Sequence, residues 1–211
     1  MALELFARDG FHATTIPDIA EAADVAPRTV STYFPSKEGI VFEEYETAIE
    51  RFRRRLSQRA DTERVLDVLR SWLHDEEQTQ HGPTRGLVLR PDQDGDDFAR
   101  LRETAIAADP DLWALQRRYL LPMVRLVAEG VAADLGVDPQ SLQAQVAGES
   151  AVAVLLAVNA RAARNGSAAT AEFEVASEFL RAGLDTVRPR DAHRRRGEGA
   201  MSAAHRPPME A

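Results

Sequence analysis

Apolar residues recur every three or four positions along most of the chain, which is the spacing of one buried face of an α-helix. The stretch 37–59 is an example, because Val41, Tyr45 and Ile49 recur at helical spacing after Ser36, a favourable N-cap residue. We therefore predict one long helix there. No segment shows the strict alternation of apolar and polar residues that indicates a half-buried strand, so the pattern predicts an all-α protein.

Prolines and glycines mark where the predicted helices begin and end. Asp138 followed by Pro139 predicts the start of a helix, because Asp is a good N-cap and Pro is tolerated in the first turn. Gly136 and Gly166 are placed to end the helices that precede them. Pro122 lies inside a periodic apolar segment, and we expect it to kink or break that helix.

Composition narrows the class of protein. The 211 residues include no cysteine, which excludes disulfides. Their formal net charge of −8 disfavours a partner that is bound through bulk positive charge. No stretch looks apolar for long enough to cross a bilayer, and the N-terminus lacks the pattern of a signal peptide. We therefore expect a cytoplasmic protein with no membrane partner.

Motifs for catalysis do not stand out. The histidines lack metal-ligand spacing, and the sequence has neither a nucleophile motif nor a glycine-rich phosphate loop. We expect no enzyme activity, no cofactor and no metal, with an all-α enzyme as the rival class of function. Residues 188–211 lose the apolar period among Pro, Gly, Arg and His, which predicts a disordered tail.

Three short predicted helices near the N-terminus form the most informative pattern. The segment "IPDIAEAA" is followed by the tight turn "DVA" and by "PRTVSTYF", which is the spacing of a helix-turn-helix. In such a unit the second helix enters the major groove of DNA while the first helix braces it. The predicted contacts between the two helices are Ile19, Ala20, Val25 and Val30.

The outward side of the second helix carries side chains suited to DNA, namely Arg28, Ser31, Thr32 and Tyr33. Arginine can form two hydrogen bonds to guanine, and hydroxyls can bond bases or phosphates. Lys37, the only lysine in the chain, follows at the start of the next predicted helix. Because an ammonium and the N–H groups of a helix start both attract phosphate, we expect Lys37 to contact the DNA backbone.

Residues 3–42 resemble the N-terminal domain of TetR-family transcriptional regulators, through "ALELFARDGF", "TTIPDIAEAADV" and "RTVSTYFPSKEGIV". The resemblance implies a helix-turn-helix domain over 1–45 and a helical ligand-binding and dimerisation domain over 46–187. The positions that match the family's DNA contacts are Thr15, Pro17, Pro27, Arg28, Thr29, Ser31, Tyr33 and Lys37.

Three departures from the family pattern are visible. Asp24 stands where the family usually has Gly, although Asp tolerates the left-handed backbone better than most residues. Ser31 replaces a usual Tyr, which predicts an atypical operator. The chain begins inside the first helix at Met1, so we expect that helix to be truncated. Either the true start lies upstream, or the protein lacks the phosphate contacts that family members make there.

The resemblance also implies a homodimer in which the last two long helices pair with their copies as a four-helix bundle. Small residues in the segment 139–164 would allow close approach, and the last helix carries an apolar stripe. The residues predicted at the dimer interface are Ala144, Ala147, Ala151, Leu155, Phe173, Leu180 and Leu184. The alternative is that both stripes form the core of a single chain.

A ligand pocket is expected among the segments 62–80, 97–108 and 110–135, where bulky apolar residues concentrate. Its predicted lining is Trp72, Phe98, Trp113, Arg117, Tyr119, Leu120 and Met123. The stretch "ARLRETAIAADPDLWALQRRY" is similar to regulators of acyl-CoA-like ligands, such as those near mycofactocin genes, which favours a hydrophobic, acyl-bearing effector.

These features together predict a ligand-responsive regulator. It would bind a palindromic DNA operator as a homodimer, repress transcription, and be released by a small hydrophobic effector that tilts the long helix 37–59. The alternative is a helical adaptor that has lost DNA binding. The balance of eight basic against ten acidic side chains in residues 1–60 favours that alternative or a modest, salt-dependent affinity.

Overall fold

The computed structural model describes residues 1–78 and 95–186, and the side chains of all of these except 95–98. This part of the chain folds into ten α-helices and contains no strand, which confirms the all-α class. The helices are α1 (Ala2–Asp9), α2 (Ile16–Ala22), α3 (Pro27–Tyr33), α4 (Lys37–Phe42), α5 (Tyr45–Ser57), α6 (Val65–Gln78), α7 (Gly95–Ala108), α8 (Pro110–Leu135), α9 (Leu142–Asn165) and α10 (Ala169–Thr186). The predicted tail and the side chain of Phe98 lie outside the described residues.

A small apolar core holds α1 to α4 together. The rings of Phe6 and Phe11 meet edge to face, with their centroids 5.1 Å apart. Both rings are buried, as are Ile19 of α2 and Val30 of α3. The N-terminal helices therefore share one core, and α3 contributes only a single buried side chain to it.

The connection between the N-terminal helices and the rest of the chain differs from the prediction. Ser36 does cap a helix, since its hydroxyl accepts a hydrogen bond from the N–H of Gly39 at 3.2 Å. However, that helix ends at Phe42, and α5 begins at Tyr45 after a turn. The prediction of one helix over 37–59 was wrong, because Phe42 and Tyr45 are each held by contacts with α8 that outweigh the local apolar period.

Helices α8 and α9 form the centre of the larger unit. A methyl group added at Gly148 would lie 2.6 Å from the backbone oxygen of Val124 and 3.0 Å from the Cβ of Ala128, so glycine lets α9 approach the backbone of α8. Helix α8 continues through Pro122, so the proline does not break it. The two helices end at glycines in the left-handed conformation, Gly136 and Gly166, as predicted.

The start of α9 is shifted from the predicted position. Ser141, not Asp138, is the N-cap, and its hydroxyl accepts a hydrogen bond from the N–H of Ala144 at 3.4 Å. Asp138 instead accepts a hydrogen bond from the N–H of Gln140 at 2.6 Å and forms a turn. An Asp–Pro pair is favourable both at a helix start and in a turn, so the sequence alone did not show which of these structures forms at Asp138.

Helix α9 is long and apolar enough to span a bilayer by length and composition alone, with a mean hydropathy of 1.4 over its most apolar window. The expectation that no stretch has these properties was wrong. The same test is passed by core helices, and 44% of this window is buried inside the protein. Leu155 and Ala162, for example, are fully enclosed in the protein's own core.

The apolar stripes predicted to form a dimer interface mostly face inward. Five of the seven residues are enclosed by their own chain, and Ala147 and Leu184 are half-buried against the same core. The five are Ala144, Ala151, Leu155, Phe173 and Leu180. Ala144, Ala151, Leu155 and Phe173 therefore belong to the core of their own chain. Leu180 lines an open hollow together with Ala147 and Leu184, and their pairing with a second copy stays a prediction.

Candidate nucleic-acid interface

Thr15 and Asp18 fix the start of α2. The Thr15 hydroxyl accepts a hydrogen bond from the N–H of Asp18 at 3.3 Å, and the Asp18 carboxylate accepts one from the N–H of Thr15 at 2.7 Å. The Thr15 hydroxyl also donates to that carboxylate, and these bonds hold the pKa of Asp18 below its ordinary value. This reciprocal capping box defines where the exposed side chains of Thr15 and Pro17 lie.

The chain turns between α2 and α3 at Asp24, whose φ of 53° is the one positive value for a non-glycine residue in the part of the chain that the structure describes. The N–H of Val25 donates to the carbonyl of Ala20 at 3.0 Å and closes the turn. The side chain of Val25 is 41% exposed, so the prediction that it packs between the helices was wrong. Ile19, Ala20 and Val30 are buried between them as predicted.

Helix α3 stands out from the body of the protein. Every one of its side chains except Val30 is exposed, and Tyr33 is 75% exposed. The hydroxyl of Thr32 donates to the carbonyl of Arg28 at 2.8 Å, which turns it back onto its own helix while leaving its oxygen able to accept. The predicted contacts gathered on this helix are Pro27, Arg28, Thr29, Ser31, Thr32 and Tyr33.

The charges around α3 are mixed. Helix α3 contains no acidic residue, and Arg28 forms no ion pair within residues 1–78 and 95–186. Asp18, Glu21 and Asp24 lie nearby along α2 and the turn and are exposed. The guanidinium of Arg28 is therefore available to an external acceptor, in a surrounding that is not strongly basic.

Lys37 has a structural partner that the sequence did not reveal. Its ammonium donates to the backbone carbonyls of Phe11 and Thr14, at 2.7 Å each, and lies 4.5 Å from the centroid of the Phe11 ring. The side chain thus ties the loop between α1 and α2 to the start of α4. A phosphate contact by its remaining hydrogen stays a prediction.

Helix α1 packs against α7, and two side-chain contacts join the N-terminal helices to α8. The His12 Nε2 atom lies 3.3 Å from a carboxylate oxygen of Asp109 and 3.2 Å from one of Asp111, at the start of α8. The Phe42 ring stacks on that of Tyr119 in α8, with centroids 4.8 Å apart. Helix α8 therefore contacts both the loop between α1 and α2 and the end of α4.

The residues predicted to line a ligand pocket do not form one site. Trp72, Leu120 and Met123 belong to the buried core, and Trp72 packs on Phe52. Trp113 is 53% exposed and has the guanidinium of Arg117 5.5 Å from its ring centroid. Tyr119 lines a separate groove beside α5, together with Glu46 and Pro122 among others.

A hollow of about 550 Å³ lies between α7, α8 and α9. Of the predicted pocket residues with described side chains, Trp113 alone lines it. Its apolar wall is made by Ile106, Ala107, Leu156, Ala157, Ala160 and Ala163, and its polar wall by Arg100, Glu103, Thr104, Gln116 and Arg164. This volume falls within the range of small-molecule sites, about 300 to 1,000 Å³.

A buried polar cluster beside this hollow was missed by the sequence analysis. The amide of Gln116 donates to the Tyr45 hydroxyl at 2.9 Å, and the guanidinium of Arg102 lies 5.6 Å from the centroid of the Tyr45 ring. Arg51 pairs with the buried Glu76 through two hydrogen bonds of 2.7 and 2.9 Å. A signal was present, because Glu76, Arg102 and Gln116 each occupy the apolar phase of their helix.

Glu44 adjoins this cluster in the turn between α4 and α5. Its Oε2 atom is buried and has no hydrogen-bond partner among the described residues. Burial raises the pKa of Glu44 to about 7, helped by Glu43 and Glu76 and opposed by Arg51 and Arg102. The connection between the two parts of the protein therefore contains a carboxyl that titrates near neutrality.

The exposed α3, braced by α2 across a tight turn, defines a helix-turn-helix DNA-binding protein. Residues 1–43 match the family model described as bacterial regulatory proteins, tetR family. The N-terminal part of the chain is therefore similar to this family of regulators, as the resemblance implied. No curated protein matches the chain.

Proposed function

We propose that this regulator binds a palindromic DNA operator as a homodimer and represses transcription in the cytoplasm until a small hydrophobic effector releases it. The observation that carries the proposal is the exposure of α3 on every position except Val30. A helix whose polar side faces solvent along its whole length is available to enter the major groove.

The side chains on α3 suit both base contacts and phosphate contacts with DNA. Arg28 lies in the first turn with a guanidinium suited to the two acceptors of guanine. Ser31 offers a hydroxyl on the same helix, and Tyr33 lies at its end, where a phosphate contact is expected. Thr15 and Pro17 at the start of α2 are expected to position the unit on the backbone.

The dimer is proposed through an apolar face on α9 and α10. Leu142, Val146, Val175 and Phe179 are large apolar side chains exposed on these helices, and Phe179 is 80% exposed. A hollow of about 440 Å³ between the two helices is lined almost wholly by apolar residues, including Leu142, Val146 and Phe179. A contiguous apolar surface of this kind is characteristic of an interface, and a second copy would present the same face.

The effector would act by binding one arrangement of the two domains more tightly than the other. An acyl-bearing molecule is our first candidate class. Since α4 and α5 are separate helices joined by a turn at residues 43 and 44, we place the movement at this turn instead of in the tilt of one rigid helix.

A mobility-shift experiment tests the proposal. DNA upstream of the protein's own gene and an unrelated fragment of equal length are compared at several salt concentrations. We expect the upstream fragment to stay bound at salt concentrations that release the unrelated one, because phosphate contacts weaken with salt for both. Equal binding to both fragments, or none, would instead favour the adaptor.

A further inference from the structure

The hollow between α7, α8 and α9 has a chemically divided lining. One side is made of alanines and larger aliphatic residues from α7 and α9, and Ala160 is the middle one of the five α9 residues that line the hollow. The other side carries the guanidinium groups of Arg164 and of Arg100, the latter with a further interaction of its own, and the carboxylate of Glu103. Such a lining suits a molecule with an apolar body and one negatively charged end.

The hollow also reaches a residue that is fixed inside the protein. Gln116 lines it although only 3% of the residue is exposed, and its amide donates to the Tyr45 hydroxyl at 2.9 Å. Glu103, another lining residue, pairs with Arg102 at 3.3 Å, and Arg102 lies against the Tyr45 ring. Gln116 therefore contacts Tyr45, the first residue of α5, directly. Glu103 reaches Tyr45 through Arg102.

Tyr45 begins the helix that follows the connection to the DNA-binding helices. It is enclosed by the core, and its ring also meets that of Phe42 edge to face, with centroids 5.2 Å apart. Phe42 is the last residue of α4. Direct contacts thus connect Gln116 to Tyr45, and Tyr45 to the end of α4.

We propose that the hollow between α7, α8 and α9 binds an amphipathic carboxylate, and that occupation of the hollow is reported to the DNA-binding helices through the Gln116–Tyr45 hydrogen bond. The proposal rests on the proposed function, because it names the ligand class and the site through which regulation acts. The apolar body lies against the alanines of α9, and the carboxylate is held at Arg164.

The binding arm uses decanoate as the probe, with decanol and decylamine as matched molecules that lack the negative end. Trp113 lines the hollow while Trp72, the other tryptophan, is buried against Phe52. We expect decanoate to shift the emission of Trp113, to bind more tightly than both matched molecules, and to give no shift in Trp113→Phe. Calorimetry should still detect binding to that variant.

Two substitutions distinguish specific binding of decanoate in the hollow from nonspecific binding to the protein surface. Ala160→Leu fills the hollow and should weaken decanoate by about tenfold or more, whereas Ala133→Leu on the exposed side of α8 should leave it unchanged. Arg164→Gln should weaken decanoate by about twofold to fivefold, as expected for an exposed ion pair, without affecting decanol. Decanoate affinity that is unchanged in Ala160→Leu, or absent from the wild type, would overturn the site.

The relay is tested in a second arm with DNA. Tyr45→Phe removes the hydroxyl that Gln116 contacts, and it should bind decanoate as tightly as the wild type but lose most of the effect of decanoate on DNA affinity. An undiminished effect would refute the relay. If the wild type binds no DNA specifically, the proposed function fails, while the binding arm still decides whether the hollow is a carboxylate site.

Discussion

Helix α3 and the pair α9–α10 both expose one side to solvent, but they expose opposite chemistry. The open side of α3 carries hydroxyls, a guanidinium and the phenol of Tyr33, and the helix contributes only Val30 to the core. The open side of α9 and α10 carries Val146 and Phe179, although the same helices also bury a full apolar side. A polar exposed helix suits a charged, hydrated partner such as DNA, whereas an apolar exposed side suits another protein surface.

The largest effect is expected from a charge placed on the apolar face. Phe179→Glu should weaken dimerisation by about 100-fold or more, because central aromatic residues commonly dominate an interface. Operator affinity should fall with it, since two linked half-site contacts become independent. Sedimentation measures the first effect and mobility shift the second.

The matched control for this substitution is Ala133→Glu, which adds the same charge to an exposed position of α8. It should sediment like the wild type. A Phe179→Glu protein that dimerises as well as this control would show that the apolar face of α10 is not the interface.

Arg28→Ala tests the polar side of the comparison. We expect a loss of about 5-fold to 150-fold for the preferred DNA, because one bidentate guanine contact contributes about 1–3 kcal/mol of discrimination. Binding to unrelated DNA should fall less, and dimerisation should not change. Arg53→Ala removes an exposed guanidinium of α5, outside the helix-turn-helix, and serves as the control for lost charge.

Lys37→Met separates the two roles of the single lysine. Loss of the ammonium leaves the carbonyls of Phe11 and Thr14 without this donor, so we expect the free energy of unfolding to fall by about 1 kcal/mol. If Lys37 also contacts phosphate, all DNA should be weakened alike and the salt slope should decrease by about 1. A stable variant with an unchanged slope would remove both roles.

A dependence of stability on pH is expected from the turn between the two regions. The pKa of Glu44 is raised to about 7 by burial, so the folded protein keeps a proton that the unfolded chain releases at lower pH. Stability should therefore fall as pH rises from about 4.5 to about 7 and level off above that. Glu44→Gln should flatten this decline and be the more stable protein at pH 8, as judged by denaturation at several pH values.

The control for the pH series is Glu46→Gln, an exposed carboxyl in α5 two positions along the chain. It should keep the decline of the wild type. A Glu44→Gln variant with the same decline would mean that another group carries the pH dependence.

The sequence was most informative where local chemistry decides the structure. The turn at Asp24 and the exposure of α3 follow from backbone preference and helical period, and both were predicted. The pattern failed where tertiary contacts decide. Phe42 and Tyr45 end one helix and start another because α8 holds their rings.

The candidate site beside α8 shows the same limit. Trp72 and Met123 were expected in a pocket because they are bulky and apolar, but the same property places them in the core. Helical phase would have identified Gln116 as a polar side chain at a buried position. The phase alone does not show that Gln116 meets Tyr45, which is 71 positions away.

The central claim is that two copies of α3 are presented to one side of a DNA duplex, and a distance measurement tests it most directly. Because the chain has no cysteine, Glu21→Cys introduces a unique site for a spin label on α2, which braces α3, at an exposed position outside the predicted DNA contacts. With DNA selected from a random library, pulsed dipolar spectroscopy should give one narrow distance distribution compatible with labels about one helical turn apart, about 34–36 Å between half-site centres. A labelled protein that binds the selected DNA without dipolar coupling, or with copies too far apart for adjacent turns of the duplex, would contradict the account.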